Sequence, residues 1–269
     1  MQNAQIIYGT AWKEDTTSAL VNQAITSGFR AIDTANQPKH YQEARVGEAL
    51  RTLAKQGIRR EDLFLQTKFT PVDGQDQRIP YDPRADLTTQ VRQSFLSSLT
   101  HLHTDYLDSY LLHGPYNHPG LGENDWEVWG AIEEIYRSRK VKQIGISNVN
   151  IKQLELLWTG SLIKPMIVQN RCYAIRGWDK DVREFCKAHN IIYQGFSLLT
   201  ANPQVWQNQA TQEIATRHKK TPMQIIFRFA IQIGITPLTG TTSAQHMKED
   251  LDIFDFELAE GEMGMIEGI

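Results

Sequence analysis

Three apolar runs in this chain end in a group that can carry charge or a proton. Ala31-Ile32-Asp33 closes on a carboxylate, Leu63-Phe64-Leu65-Gln66-Thr67-Lys68 on an ammonium, and Tyr110-Leu111-Leu112-His113 on an imidazole. An apolar strand has no packing reason to end in a charge, which makes these the residues to inspect for chemistry. A lysine buried beside an aspartate stays charged, and a cation near a tyrosine lowers the phenol's pKa toward the range of a general acid. That set suits delivery of a proton to a carbonyl oxygen. Taken singly, a strand-end aspartate reads as a turn or cap residue, and a lone histidine as a hydrogen-bonded core residue. The joint reading needs all three on successive strands that open on one mouth.

The elements that would position them repeat along the whole chain. Short apolar runs at 6–11, 30–35, 63–69, 107–113, 141–148, 166–172, 191–197 and 235–240 read as strands, several of them apolar on both faces. That is the pattern of parallel strands covered on both sides. Between them lie amphipathic stretches. Leu87, Val91, Phe95 and Leu99 recur every fourth residue, which predicts a helix over about 85–102. Thr221-Pro222 predicts a capped helix start with Gly234 as its stop, and Asn202-Pro203 predicts another helix running toward Lys220. Strand and helix alternate end to end with no linker between them, so the fold class expected over 1–269 is α/β, a single-domain (β/α)8 TIM barrel. An open doubly wound sheet would show a Gly-x-Gly-x-x-Gly turn after the first strand, and Tyr8-Gly9-Thr10-Ala11-Trp12-Lys13 has none. The long segment 70–83, rich in turn formers, follows the third strand. It reads either as a surface insertion or as part of an active-site face.

Composition excludes other classes. With 269 residues, 41% hydrophobic and 22% charged, the chain is not disordered. Lys+Arg 28 against Asp+Glu 31 gives a net charge of −3 without a basic run, so no nucleic-acid partner is expected. No apolar stretch is long enough for a membrane span, and the first residues lack a leader's charged and apolar regions. Cys172 and Cys186 match neither a disulfide framework nor a metal-ligand spacing, so a reducing, cytoplasmic setting is expected. No metal site is expected either. A metal-dependent hydrolase would need more ligands than Asp33 and His113.

Several motifs, taken in order, resemble the aldo-keto reductase superfamily. They are Gly28-Phe-Arg-Ala-Ile-Asp-Thr-Ala35, Tyr41-Gln-Glu-Ala-Arg-Val-Gly-Glu-Ala-Leu50, Gln66-Thr-Lys68, Asp105-Tyr-Leu-Asp-Ser-Tyr-Leu-Leu-His-Gly-Pro115, Trp129-Gly-Ala-Ile-Glu133, Ile144-Gly-Ile-Ser-Asn148 and Asp252-Ile-Phe-Asp-Phe-Glu-Leu258. The resemblance implies a barrel that reduces aldehydes or ketones with a nicotinamide cofactor, NADP by default with NAD possible, and a monomeric state. It implies a catalytic set of Asp33, Tyr41, Lys68 and His113, with Tyr41 as general acid, Lys68 lowering its pKa, Asp33 orienting Lys68, and His113 orienting the substrate oxygen. Ser147, Asn148 and Gln169 would hold the nicotinamide carboxamide, and Phe196 would stack where the family usually has tyrosine. A weakly catalytic, redox-sensing regulatory subunit is the alternative that the same resemblance allows.

The sequence departs from that pattern in three places. Counting back from Val46-Gly47 falls on His40, and only Tyr41 carries a phenol. In the segment Leu238-Thr-Gly-Thr-Thr-Ser-Ala-Gln-His-Met-Lys-Glu-Asp250, Gly240 stands where the family has a lysine and His246 where it has an arginine. Thr239, Gly240, Thr241 and Thr242 would still offer backbone and hydroxyl donors to a phosphate, with Lys248 either compensating or simply solvated. Weaker phosphate selection follows as an expectation. Gly114 replaces a frequent tryptophan, which should widen the pocket and leave Trp12 as a wall, while Trp129 reads as core. The short run before Ile6 and the short tail after Asp252 point to an unplugged barrel base and an open mouth.

Overall fold

The computed structural model describes residues 5–269, so the first residues on which a leader was judged absent lie partly outside it. Eight strands appear: β1 Ile7–Gly9, β2 Ala31–Asp33, β3 Phe64–Phe69, β4 Leu107–Leu112, β5 Val141–Ser147, β6 Ile167–Arg171, β7 Ile192–Phe196 and β8 Thr236–Thr239. Each pairs in parallel with the next in chain order, and β8 returns to β1 to close the barrel. The expected strands are all present, trimmed at their ends. Trimming falls where the ladder stops and the chain turns into a connecting loop.

The helices follow from their caps. Asp86 precedes α3 (Leu87–His101) and its Oδ1 accepts from the Thr89 N–H at 2.7 Å. Thr221 caps α9 (Pro222–Gln232) in the same way, with proline at the first helical position and Gly234 beyond the end at φ +86°. The segment expected to run as one helix from 202 toward 220 is two, α7 (Pro203–Trp206) and α8 (Gln209–His218). The break falls at Asn208, whose side chain accepts from the Ala210 N–H at 2.9 Å and starts a second helix instead of continuing the first.

The other helices are α1 (Thr17–Ser27), α2 (Glu43–Lys55), α4 (Glu123–Arg137), α5 (Ile151–Gly160), α6 (Lys180–Ala188), α10 (Ala244–Leu251) and α11 (Glu260–Glu267). α2 and α3 pack so closely that a Cβ on Gly47 would lie 1.9 Å from the His101 carbonyl oxygen. Only glycine fits there. The short C-terminal helix α11 is pinned to α8 by Arg217 and His218, which reach Glu262 at 3.0 and 2.9 Å.

Apolar burial is divided by the strands. The main cluster fills the space between strands and helices and includes Trp129, which is core as expected. A second, small cluster of Ile7, Ala31 and Leu238 lies apart from it, with Phe64 and Phe196 packed against it. At the N-terminal ends of the strands is a depression of about 570 Å³ lined in part by Ile6, Phe29, Phe64 and Phe254. The opposite end carries the side chains singled out above. Among the described residues no helix is long and apolar enough to cross a membrane, and no group of three His, Cys, Asp or Glu could hold a metal ion.

Candidate active site

Lys68 is wholly buried on β3, and its Nζ donates to both Asp33 carboxylate oxygens at 2.6 Å and to the Thr34 carbonyl at 2.9 Å. All three ammonium protons are therefore used. Burial pulls the lysine's pKa down and Asp33 opposes that pull; burial is the larger effect. Asp33, only 2% exposed, also accepts from Gln66 Nε2 at 2.7 Å and Gln169 Nε2 at 3.0 Å. Register accounts for the cluster: Asp33 lies beside Gln66 across β2 and β3, and Gln169 beside Gln194 across β6 and β7. Side chains two apart on a strand share a face, so Gln66 and Lys68 both enter the barrel.

Tyr41 reaches this pair from the loop after β2. Its ring centroid lies 5.6 Å from Lys68 Nζ and 5.9 Å from the His113 ring, edge to face. His40 packs against the Trp12 indole at a 3.9 Å centroid distance, tilted by 36°. The structure thus brings Tyr41 to Lys68 and His113, although the motif count falls on its neighbour. One expectation is corrected. The Tyr41 phenol is not lowered by Lys68; burial and the Asp33 charge push its pKa well above the ordinary phenol value. The Lys68 ammonium gives its three protons to Asp33 and Thr34, so it donates none to the phenol.

His113 follows the end of β4, with its backbone N–H donating to the Phe69 carbonyl at 2.8 Å. Burial, then the Lys68 charge, lowers its pKa from 6.5 to about 3, so the ring is neutral at working pH. Its Nδ1 lies 2.7 Å from the Thr70 hydroxyl. Thr70 is itself fixed from the long 70–83 segment, where the Tyr81 hydroxyl donates to the Thr70 carbonyl at 2.7 Å. That segment is therefore a brace for the site. Sequence reasoning passed over Thr70, whose only signal was its place immediately after a strand ending in lysine.

Around these groups lie the residues expected at a nicotinamide. Ser147 Oγ donates to the Gln169 carbonyl at 2.6 Å, and Asn148 Nδ2 to the His113 carbonyl at 2.8 Å. Asn148 adopts φ +57°, a left-handed conformation that asparagine tolerates. Phe196, half-buried at the end of β7, presents a ring 5.6 Å from the Arg171 guanidinium carbon. Trp12 is 69% exposed beside the mouth, and a Cβ at Gly114 would meet nothing closer than Asn148 Cβ at 3.8 Å. The wall is open there.

Comparison with known proteins fits this geometry. The model of the aldo/keto reductase family matches residues 5–269. The chain is 33% identical to glyoxal reductase of Bacillus subtilis over 93% of its length and 82% of that protein. It is 31% identical to the 9,11-endoperoxide prostaglandin H2 reductase of Trypanosoma cruzi, over 93% of the chain and 81% of the relative. Among solved structures, an aldo-keto reductase from a deep-sea metagenome library superimposes with a TM-score of 0.83 at 27% identity, covering 100% of this chain and 92% of that one. The chain belongs to the aldo/keto reductase family. Its members are oxidoreductases that work on carbonyl groups with NAD(P)H, and this chain is one of them.

This reductase's own residues meet that cofactor differently at its nicotinamide and phosphate ends. At the nicotinamide end both Gln169 N–H groups are directed inward, and its Oε1 has no donor among the described residues, leaving an acceptor for a carboxamide. At the phosphate end the fit is different from the one expected. Thr239 is buried and donates to Asp250 at 2.6 Å, so its hydroxyl does not face a phosphate; burial raises the Asp250 pKa to about 6. Thr241 Oγ1 accepts from the Ser243 N–H at 3.1 Å and lies 3.4 Å from His246 Nδ1, with Thr242 and His246 exposed. The cation nearest Gly240 is Lys13, from the loop after β1, whose Nζ donates to the Gly240 carbonyl. A Cβ at 240 would lie 3.5 Å from that nitrogen. Lys248 is an exposed helix residue. The residues fit a dinucleotide, and Lys13 sets a cation beside Gly240 across the barrel seam. No local motif signals this, because Lys13 and Gly240 are 227 residues apart.

Proposed function

We propose that this reductase converts an aldehyde or ketone to the alcohol with NADPH or NADH, with Tyr41 donating the proton to the carbonyl oxygen. The observation that supports it most is the meeting of the Tyr41 and His113 rings beside the buried Lys68–Asp33 pair. The reduced nicotinamide, when bound, supplies the hydride to the carbonyl carbon. Ser147, Asn148, Gln169 and Phe196 orient it at the end of the strands. His113, neutral, presents an Nε2–H to the carbonyl oxygen when the Thr70 hydroxyl donates to Nδ1, which fixes the ring and its tautomer. Tyr41 enters as the neutral phenol, gives up its proton as charge develops on the oxygen, and the buried Lys68 ammonium steadies the phenolate.

The reverse reaction needs the phenolate, so alcohol oxidation should rise with pH. Lys13 and His246 together supply a weaker 2′-phosphate contact than a lysine and an arginine would, so NADPH is preferred modestly and NADH is also used. The open wall at Gly114 and the exposed Trp12 suit carbonyl substrates of varied bulk. We take the whole chain as one catalytic domain, active as a monomer in a reducing cytoplasm. The test is a panel of aldehydes and ketones followed by consumption of NADPH and of NADH. Turnover with both cofactors is expected; cofactor binding without turnover across the panel would overturn the proposal in favour of a sensing role.

A further inference from the structure

Three glutamines inside the barrel form a closed set with Asp33. A carboxylate only accepts, so Gln66 and Gln169 must both present Nε2 to it, at 2.7 and 3.0 Å. Each amide has a second N–H, and both of these go to Gln194 Oε1, at 2.8 and 2.9 Å. Gln194 must then offer Nε2, which donates to Gln66 Oε1 at 3.2 Å. All three side chains are buried, on β3, β6 and β7, so water does not substitute for any partner. Once Asp33 is ionised, the orientation of every amide in the ring is determined. The chain of consequences ends at Gln169: both of its N–H groups point inward, and its oxygen is left toward the mouth.

We propose that Gln66 and Gln194 are positioning residues that hold Gln169 in this polarity, making the nicotinamide pocket a reader of an amide N–H. The inference rests on the nicotinamide reading of the site above. A carboxamide-bearing cofactor satisfies the Gln169 oxygen by donating to it. A cofactor with a methyl ketone in place of the carboxamide leaves that acceptor unpaired once the bound cofactor covers it, since Gln169 cannot turn an N–H outward without giving up a bond to Asp33 or Gln194. Where Gln194 is removed, one anchor remains, and the amide can rotate to offer its freed N–H to the ketone oxygen.

The test is calorimetric binding, without turnover, of NADP+ and of its 3-acetylpyridine analogue to the wild-type protein and to Gln194→Met and Gln66→Met. The wild type should bind NADP+ more tightly by about tenfold, the scale of one buried hydrogen bond lost. In Gln194→Met that ratio should shrink to roughly threefold or less while NADP+ still binds, and in Gln66→Met, where Gln194 loses the acceptor of its own Nε2, it should shrink by less. A general loss of packing would weaken both ligands alike and leave the ratio in place. A variant that fails to fold leaves the other, and the wild-type ratio alone is decisive: equal affinity for the two dinucleotides overturns the inference. Unchanged ratios in the folded variants overturn it as well, with the nicotinamide reading intact. Failure of the wild type to bind NADP+ at all would remove both.

Discussion

Between strands and helices, Val91, Phe95, Trp129 and Phe227 pack as a continuous apolar shell, whereas inside the ring of strands Asp33, Gln66, Lys68, Gln169 and Gln194 bond to one another. The interior of a (β/α)8 barrel is ordinarily filled by branched apolar side chains. Here a small apolar cluster of Ile7, Ala31 and Leu238, with two phenylalanines against it, and the buried Ile167 and Leu111 share the interior with this polar layer. Burying polar groups costs stability unless every partner is found, and a buried charge costs far more. In this barrel the partners are found within the layer itself. The shell supplies the hydrophobic stabilisation, which frees the interior to be polar and to serve the mouth above it.

Substitutions in the two regions should therefore fail in different ways. The largest effect belongs to Lys68→Met. It leaves the Asp33 carboxylate buried and unpaired, a loss on the order of 3–5 kcal/mol by chemical denaturation, and it removes the ammonium beside Tyr41, so the folded fraction should be inactive in a turnover assay. Trp129→Ala should match it in stability alone, with about 3–5 kcal/mol lost from the shell and kcat per folded molecule retained. Equal loss of kcat in both variants would erase the distinction between the regions.

A smaller effect is expected for Thr70→Val, which keeps the shape but frees the His113 ring. Its kcat should fall by roughly tenfold, one hydrogen bond's worth, with little change in Tm. Smallest is a predicted absence. Because the folded His113 pKa lies near 3 and not 6.5, the imidazole stays neutral, and the pH profile of reduction should show no inflection from this residue around 6.5. The sign also bears on stability. A histidine with a depressed pKa opposes folding as pH falls from 6.5 toward 3, because the unfolded chain takes up the proton first.

Much of this was legible before any coordinates. The eight strands read from period and apolarity, and Asp33, Lys68 and His113 stood out because each ends a hydrophobic run with a charge or an imidazole. Their convergence followed from the barrel, since the C-terminal ends of its strands share one face. Gln66 and Gln194 were hidden because an isolated glutamine in a strand carries no sign of which face it takes or what it meets. Their roles depend on barrel closure, which joins side chains 128 residues apart. The split between α7 and α8 was missed for a local reason: a cap at Asn208 outcompeted the continuation of a helical pattern. The direction of the Tyr41 shift was missed because a residue list places Lys68 near the phenol without showing the phenol's burial or the Asp33 charge beside it.

The central claim is that Tyr41, brought beside Lys68 and His113, delivers the proton. It is tested most directly by Tyr41→Phe, which keeps the ring and its packing, measured for NADPH binding and for single-turnover reduction of an aldehyde. The account predicts unchanged cofactor affinity and a reduction rate lower by about 10²–10⁴-fold, the scale of a lost general acid. A variant that binds NADPH normally and reduces the aldehyde at the wild-type rate would contradict it.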